Sequence, residues 1–215
     1  MTLPDEVPVM TLPNATLFPQ AMLPLYIFEP RYRRMLEDTL ASHRMFSIAM
    51  QKPSCKRETP CIIAGLGLIR ASVQNKDGTS HLILQGLTRI RLEDTVQRRP
   101  YRVQRISALL PKPDDSVVID ALTTKIKELV QNTATAVASS DSASNPNLPP
   151  FEKFAEHLVN VNDPDQIADM TACVMLRESA QRQTILETLA LEPRLRLLVQ
   201  FLRENGPSLP DAGAE

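Results

Sequence analysis

The residues that could do chemistry are few, and their spacing keeps them apart. Three histidines, His43, His81 and His157, and three cysteines, Cys55, Cys61 and Cys173, are the natural zinc ligands. None forms the His-Glu-x-x-His pair or the short cysteine spacing that brings two ligands to one metal. The cysteines are odd in number, which argues against a disulfide framework; reduced, mostly buried thiols are expected. Gly65-Leu66-Gly67 comes nearest to a phosphate cradle, but it lacks the third glycine of a dinucleotide loop and the Lys-Ser/Thr of a P-loop. Two glycines two apart in a strand instead signal close packing or a bulge. No Gly-x-Ser-x-Gly elbow marks a serine nucleophile, and Glu37-Asp38, Glu93-Asp94 and Asp114-Asp115 fall at turns or on helix faces where solvation accounts for them. No catalytic residue, metal or cofactor is expected.

Two kinds of binding surface are left. In "LFPQAMLPLYIFEPRYRRML" (17–36) the apolar run from Ala21 to Phe28 is punctuated by Pro19, Pro24 and Pro30. Read as a strand, it turns Leu23, Leu25 and Ile27 to a core and Met22, Tyr26 and Phe28 to the other face. Those three, with Tyr32 and Met35 just beyond, are candidates for an apolar surface that holds extended or unfolded polypeptide. Methionine suits such use because its unbranched side chain adapts to varied partners. The alternative is a basic surface of Arg89, Arg91, Arg98, Arg99, Arg102 and Arg105 that contacts RNA. RNA contact normally adds stacking aromatics, and only Tyr101 lies among these arginines.

The elements that must position these residues change character once. Up to about residue 110 the chain shows short apolar runs bounded by Pro, Asn, Asp and Gly, as strands do. "CIIAGLGLIRASVQ" (61–74) and "SHLILQG" (80–86), joined through "NKDG", predict an antiparallel hairpin because Asp-Gly supplies the positive φ of a tight turn. "TRIRL" and "YRVQRISALL" predict further strands. One helix interrupts this half: Pro30 suits its first position, and Tyr32, Met35, Leu36 and Leu40 form its apolar stripe. After about residue 114 the period becomes 3.6, with Val118, Leu122, Ile126, Leu129 and Val130 on one helix face. Asp163-Pro164 then opens a capped helix with Ile167, Met170 and Val174 aligned and Gln166 completing a capping box. A helix with Ile185, Leu186 and Leu189 follows, and another runs from about Pro193 to Asn205-Gly206-Pro207.

These periods divide the chain into a strand-rich subdomain (1–112), a helical subdomain (113–206) with a flexible segment at 133–150, and a disordered tail (207–215). With 43% hydrophobic residues each half can bury a core. Lys plus Arg number 24 against 25 Asp plus Glu, so bulk charge selects no polyanion. No apolar run approaches the roughly 20 residues of a membrane span, and the N-terminus lacks a secretory signal's order. A cytoplasmic location follows as an expectation.

Four stretches, in order, carry a resemblance. "LFPQAMLPLYIFEPRYRRMLEDTL", "GLGLIRASVQNKDGTSHLILQGLTRIRL", "PYRVQRI" and "DPDQIADMTACVMLRESAQRQTILETLALEPRLRLLVQFLRE" together resemble the substrate-binding (N-terminal) domain of the ATP-dependent Lon protease family. The resemblance implies an α+β fold: a PUA-like β-barrel with one inserted helix, then a C-terminal α-helical bundle. It also implies binding of unfolded or partly folded protein segments, with a separate protease or chaperone as a further partner. A full Lon protease continues into ATPase and Ser-Lys proteolytic domains that 215 residues do not contain, so the implied role is non-enzymatic.

Overall fold

The computed structural model describes residues 2–53, 55, 58–110, 116–138 and 151–206. Among them lie six strands and six helices in a mixed α/β arrangement. The chain divides into two compact units, Met1–Leu110 and Pro111–Glu215.

The first unit contains every strand. In chain order these are β1 (Glu6–Leu12), β2 (Met22–Ile27), β3 (Met45–Met50), β4 (Ile63–Gln74), β5 (Ser80–Gln97) and β6 (Arg102–Leu109), with helix α1 (Pro30–Leu40) between β2 and β3. They pair in the order β2-β5-β4-β3-β1-β6, and β6 pairs back onto β5. Five strands thus close a ring, and β2 is attached to it through β5 alone. The expected hairpin is β4 and β5, with Gly78 at φ 81 in its turn. "TRIRL", expected as a separate strand, is instead the second half of β5, which runs 18 residues and bends at register shifts to pair with both β4 and β6.

The strands alternate, so each side of the sheet carries its own core. Met10, Phe46, Ile48, Ile69, Leu82 and Leu84 pack with Leu17, Ile27 and the buried stripe of α1. Val7, Val9, Met45, Ala49, Ala64, Leu66, Ile90 and Leu92 pack on the opposite face. The α1 stripe is Tyr32, Met35, Leu36 and Thr39, at the i, i+3, i+4, i+7 spacing of one helix face.

The second unit is helical: α2 (Val117–Ala138), α3 (Phe151–Val159), α4 (Pro164–Met175), α5 (Ser179–Glu187) and α6 (Leu191–Asn205). Helix α2 extends through 133–138 and buries Thr133 and Ala134, so the first residues of the expected flexible segment belong to a packed helix. The remainder, 139–150, and the tail, 207–215, lie outside the described residues. The buried face of α2 is Ile119, Thr123, Ile126, Val130 and Thr133, whereas Val118 is exposed. Helix α4 begins at the expected cap, where the Asp163 carboxylate accepts from the Asp165 N–H at 3.0 Å. Its interior stripe is Ile167, Ala168, Thr171, Ala172 and Met175, which leaves Met170 and Val174 at the margin. Helix α3, to which the sequence reading assigns no element, buries Phe151, Ala155 and Leu158, and Lys127 donates to the carbonyls of Val159, its last residue, and Val161 just beyond. Arg194 of α6, 1% exposed, forms ion pairs with Asp165 and Asp169 of α4.

Candidate functional site

The segment preceding β2 decides where that strand lies. Leu17 and Phe18 are fully buried, and their backbone runs directly against two glycines, Gly65 and Gly86. A Cβ at Gly65 would stand 2.0 Å from the Leu17 carbonyl oxygen, and one at Gly86 1.9 Å from that of Phe18. At Gly67 a Cβ would meet Leu84 and Leu17 side chains within 2.8 Å. The Gly-x-Gly pair therefore gives close packing, and the register shift between Leu66 and Gly67 shows a bulge as well. Gln20 then takes a φ of 64 and donates to the Gly86 carbonyl at 2.8 Å, while the Gly86 N–H donates to Ala21 at 2.8 Å. Two residues facing one across an antiparallel pair form a bulge, and it launches β2 along β5.

From that point the alternation of β2 is regular. Leu23, Leu25 and Ile27 turn toward the core beneath α1, and Met22, Pro24 and Tyr26 turn outward. Met22 is 57% exposed, Tyr26 48% and Phe28 58%. Across the ladder, Pro24 stands opposite Ile83 and Tyr26 opposite His81. One strand further, Val73 of β4 stands opposite His81. The Tyr26 ring stacks on His81 with centroids 4.8 Å apart and on Phe28 at 5.8 Å. Met22, Tyr26, Phe28, Ile83 and Val73 thus share an exposed apolar face across three strands, where an ordinary solvated sheet face would carry polar residues. The sequence reading marks neither Ile83 nor Val73, and takes His81 only as a possible metal ligand. The signal was present: "SHLILQG" alternates, so placing Leu82 and Leu84 inside puts His81 and Ile83 outside.

Two candidates do not belong to this face. Tyr32 is 3% exposed and Met35 fully buried. Both lie on the α1 stripe that seals the core, and a helix buries one face only. The Tyr32 hydroxyl donates to Glu58 at 2.8 Å and accepts from the Thr11 N–H at 3.3 Å, while the Arg31 guanidinium lies 4.3 Å from its ring centroid and pairs with Glu58. Burial, with the Glu58 carboxylate beside it, raises the Tyr32 phenol well above its ordinary value.

The six arginines do not make one open surface. Arg89 is buried, Arg105 pairs with Glu6 at 3.4 Å, and Arg102 donates to the Glu58 carbonyl at 3.1 Å. Arg91, Arg98 and Arg99 are exposed, with Arg98 and Arg99 past the end of β5. Of the three cysteines, Cys61 is buried, Cys55 half-buried and Cys173 exposed, so fewer thiols are buried than expected. Among the described residues, no group of three or more His, Cys, Asp or Glu is placed to hold a metal ion. Two clefts among the described residues measure about 160 and 260 Å³, below the range of ordinary small-molecule sites. No helix of the described residues is long and apolar enough to cross a membrane.

Comparison with known proteins now decides the family. A family model described as the ATP-dependent protease La (LON) substrate-binding domain matches residues 6–204. The chain belongs to the LON substrate-binding domain family. A Lon protease of Dictyoglomus thermophilum is 26% identical over 203 residues, covering 93% of this chain and 24% of that protein. Lon protease 2 of Myxococcus xanthus is 25% identical over 210 residues, with 94% and 24% coverage. The chain therefore spans about a quarter of the length of these relatives. The solved N-terminal domain of a Mycobacterium avium complex Lon protease shares the fold at a TM-score of 0.74 and 17% identity, covering 93% of this chain and 98% of that one. A Lon N-terminal domain protein from Xanthomonas campestris gives 0.66 and 18%, covering 91% and 98%. As a LON substrate-binding domain, the chain is a substrate-recognition module.

Proposed function

We propose that this LON substrate-binding domain is a non-enzymatic module that holds unfolded or exposed apolar polypeptide segments on the outer face of β2, β5 and β4. Met22, Tyr26 and Phe28 carry the contact, with Ile83, Val73 and the His81 ring completing it. In this reading the closed sheet is the PUA-like barrel and the helical unit its bundle, both serving as rigid support. The module works in the cytoplasm and passes its cargo to a separate protease or chaperone. One observation carries the reading: large apolar side chains are exposed together, across strands, on a face that solvent alone would have made polar. Stacked aromatics supply area at low entropic cost, and a stacked pair is already ordered before a ligand arrives.

The test is an array of overlapping peptides from an unfolded protein, probed with the full chain. Apolar segments should bind and charged ones should not. Replacing Tyr26 and Phe28 by Ser should clear the array. An array that stays blank with the unaltered chain removes the reading.

A further inference from the structure

The same residues that expose side chains also carry unpaired backbone. Strand β2 pairs with β5 on one side only, so its other edge is open among the described residues. The bond from the Gly86 N–H to Ala21 fixes which residues face that edge. In an antiparallel ladder, bonded and non-bonded pairs alternate. With Ala21 bonded to β5, Leu23, Leu25 and Ile27 are bonded too, and Met22, Pro24 and Tyr26 turn their backbone groups outward. Proline tolerates such a position because no ladder N–H is demanded of it there. The free edge thus offers the carbonyls of Met22, Pro24 and Tyr26 and the N–H groups of Met22 and Tyr26.

We infer that the cargo docks as an added strand: an extended segment of another polypeptide, apolar at alternate positions and without Lys or Arg on that side, pairs along β2. The inference rests on the proposed function and specifies its mode. Backbone pairing gives affinity without sequence, and alternate side chains of the segment lie against Met22 and Tyr26 at cross-strand distance. Charge selects among segments. The outer face carries Arg70 and His81 beside Ala71, Val73, Ile83, Gln85, Met22, Pro24 and Tyr26, and none of these is a carboxylate. A basic residue on the side of the segment that shares this face is therefore repelled.

A second copy of this chain is the poorer occupant. In the fully overlapped two-fold register of two β2 edges, Met22 meets Tyr26 and Pro24 meets Pro24. Neither proline has an N–H, so the centre of such a pairing is empty of bonds. A foreign strand with an ordinary residue opposite Pro24 recovers one of the two.

The experiment uses the full chain and a labelled twelve-residue peptide alternating Leu or Val with Ser or Asp, together with two versions N-methylated on one alternate set of residues each. Binding is read by fluorescence anisotropy, and amide hydrogen exchange is followed with and without peptide. Methylation of the set facing β2 should weaken binding at least tenfold, and methylation of the other set by less than about twofold. Exchange at the Met22 and Tyr26 amides should slow at least tenfold, while Leu23 and Leu25, already bonded to β5, should not change. If the peptide binds but the two methylated forms behave alike and Met22 and Tyr26 exchange as before, the added strand is wrong and capture by side chains alone stands. If the unmethylated peptide does not bind, the proposed function fails with it.

Discussion

Gly86→Ala should be among the most damaging single-methyl additions available to the strand-rich unit, and its cost can be worked from distances. Gly86 is not at a positive φ, so conformational freedom is not why glycine stands there. Space is the reason. The added Cβ would fall 1.9 Å from the Phe18 carbonyl oxygen and 2.9 Å from its carbon. Carbon and carbonyl oxygen approach to about 3.3 Å at closest, so the Leu17-Phe18 strap must move by roughly 1.4 Å. Such overpacking costs about 1–3 kcal/mol. Displacement also loosens two 2.8 Å bonds, from Gln20 to Gly86 and from Gly86 to Ala21, worth about 1 kcal/mol each. The entropy that alanine removes from the unfolded chain returns about 0.4–1 kcal/mol. The net is roughly 2–4 kcal/mol, which for a unit of this size lowers the melting temperature by about 10–25 °C. Urea and thermal unfolding followed by circular dichroism would measure it. A Gly86→Ala chain within about 0.5 kcal/mol of the parent would refute the claim that this glycine exists to admit the strap.

Other consequences follow from the same geometry. Tyr32→Phe removes a bond to a carboxylate and strands the Thr11 N–H, so urea titration should show a loss of about 1.5–3 kcal/mol; no loss would mean that the Glu58 contact is idle. Arg194→Met should destabilise the helical unit by about 3–5 kcal/mol because Asp169, itself buried, loses the cation it pairs with, and adding Asp169→Asn should recover part of it. An unchanged single variant would contradict the ion pair's role. The Tyr101 phenol donates to Asp38 at 2.8 Å and is pushed up to about 12 by burial and by that carboxylate. A folded value above the unfolded one near 10 means that its contribution is whole below about pH 10 and is lost as pH rises toward 12. The urea midpoint should fall across that window, and fall less steeply in Tyr101→Phe; parallel profiles would show that the bond contributes nothing.

How much of this was legible beforehand can be argued from single residues. The α1 stripe and the β4–β5 hairpin follow from local rules, a helix period after Pro30 and an Asp-Gly turn, and both stand where the sequence places them. The face of β2 was equally readable, since a period of two leaves Met22 and Tyr26 outside once Leu23 and Leu25 are inside. The error on Tyr32 and Met35 came from treating nearness in sequence as nearness on a surface, although α1 follows β2 directly and buries the stripe on which they lie. Helix phase was harder. On α2 the buried face includes Thr123 and Thr133 and omits Val118, because position in the packed unit, more than side-chain polarity, selects the face. The reach of the hairpin was invisible too. That β5 continues unbroken from Ser80 to Gln97 depends on partners on both sides, which no local window contains. The family resemblance carried what spacing could not, the substrate-recognition role.

The central claim is that Tyr26 and Phe28 are exposed in order to hold unfolded polypeptide. Its most direct test is a fluorescence titration of a permanently unfolded polypeptide into the full chain and into the Tyr26→Ser, Phe28→Ser variant. Burial of each aromatic contributes about 1.5–3 kcal/mol, so the double variant should bind at least tenfold more weakly while melting at the parent temperature. Equal affinity of the two chains for the unfolded polypeptide would contradict the account.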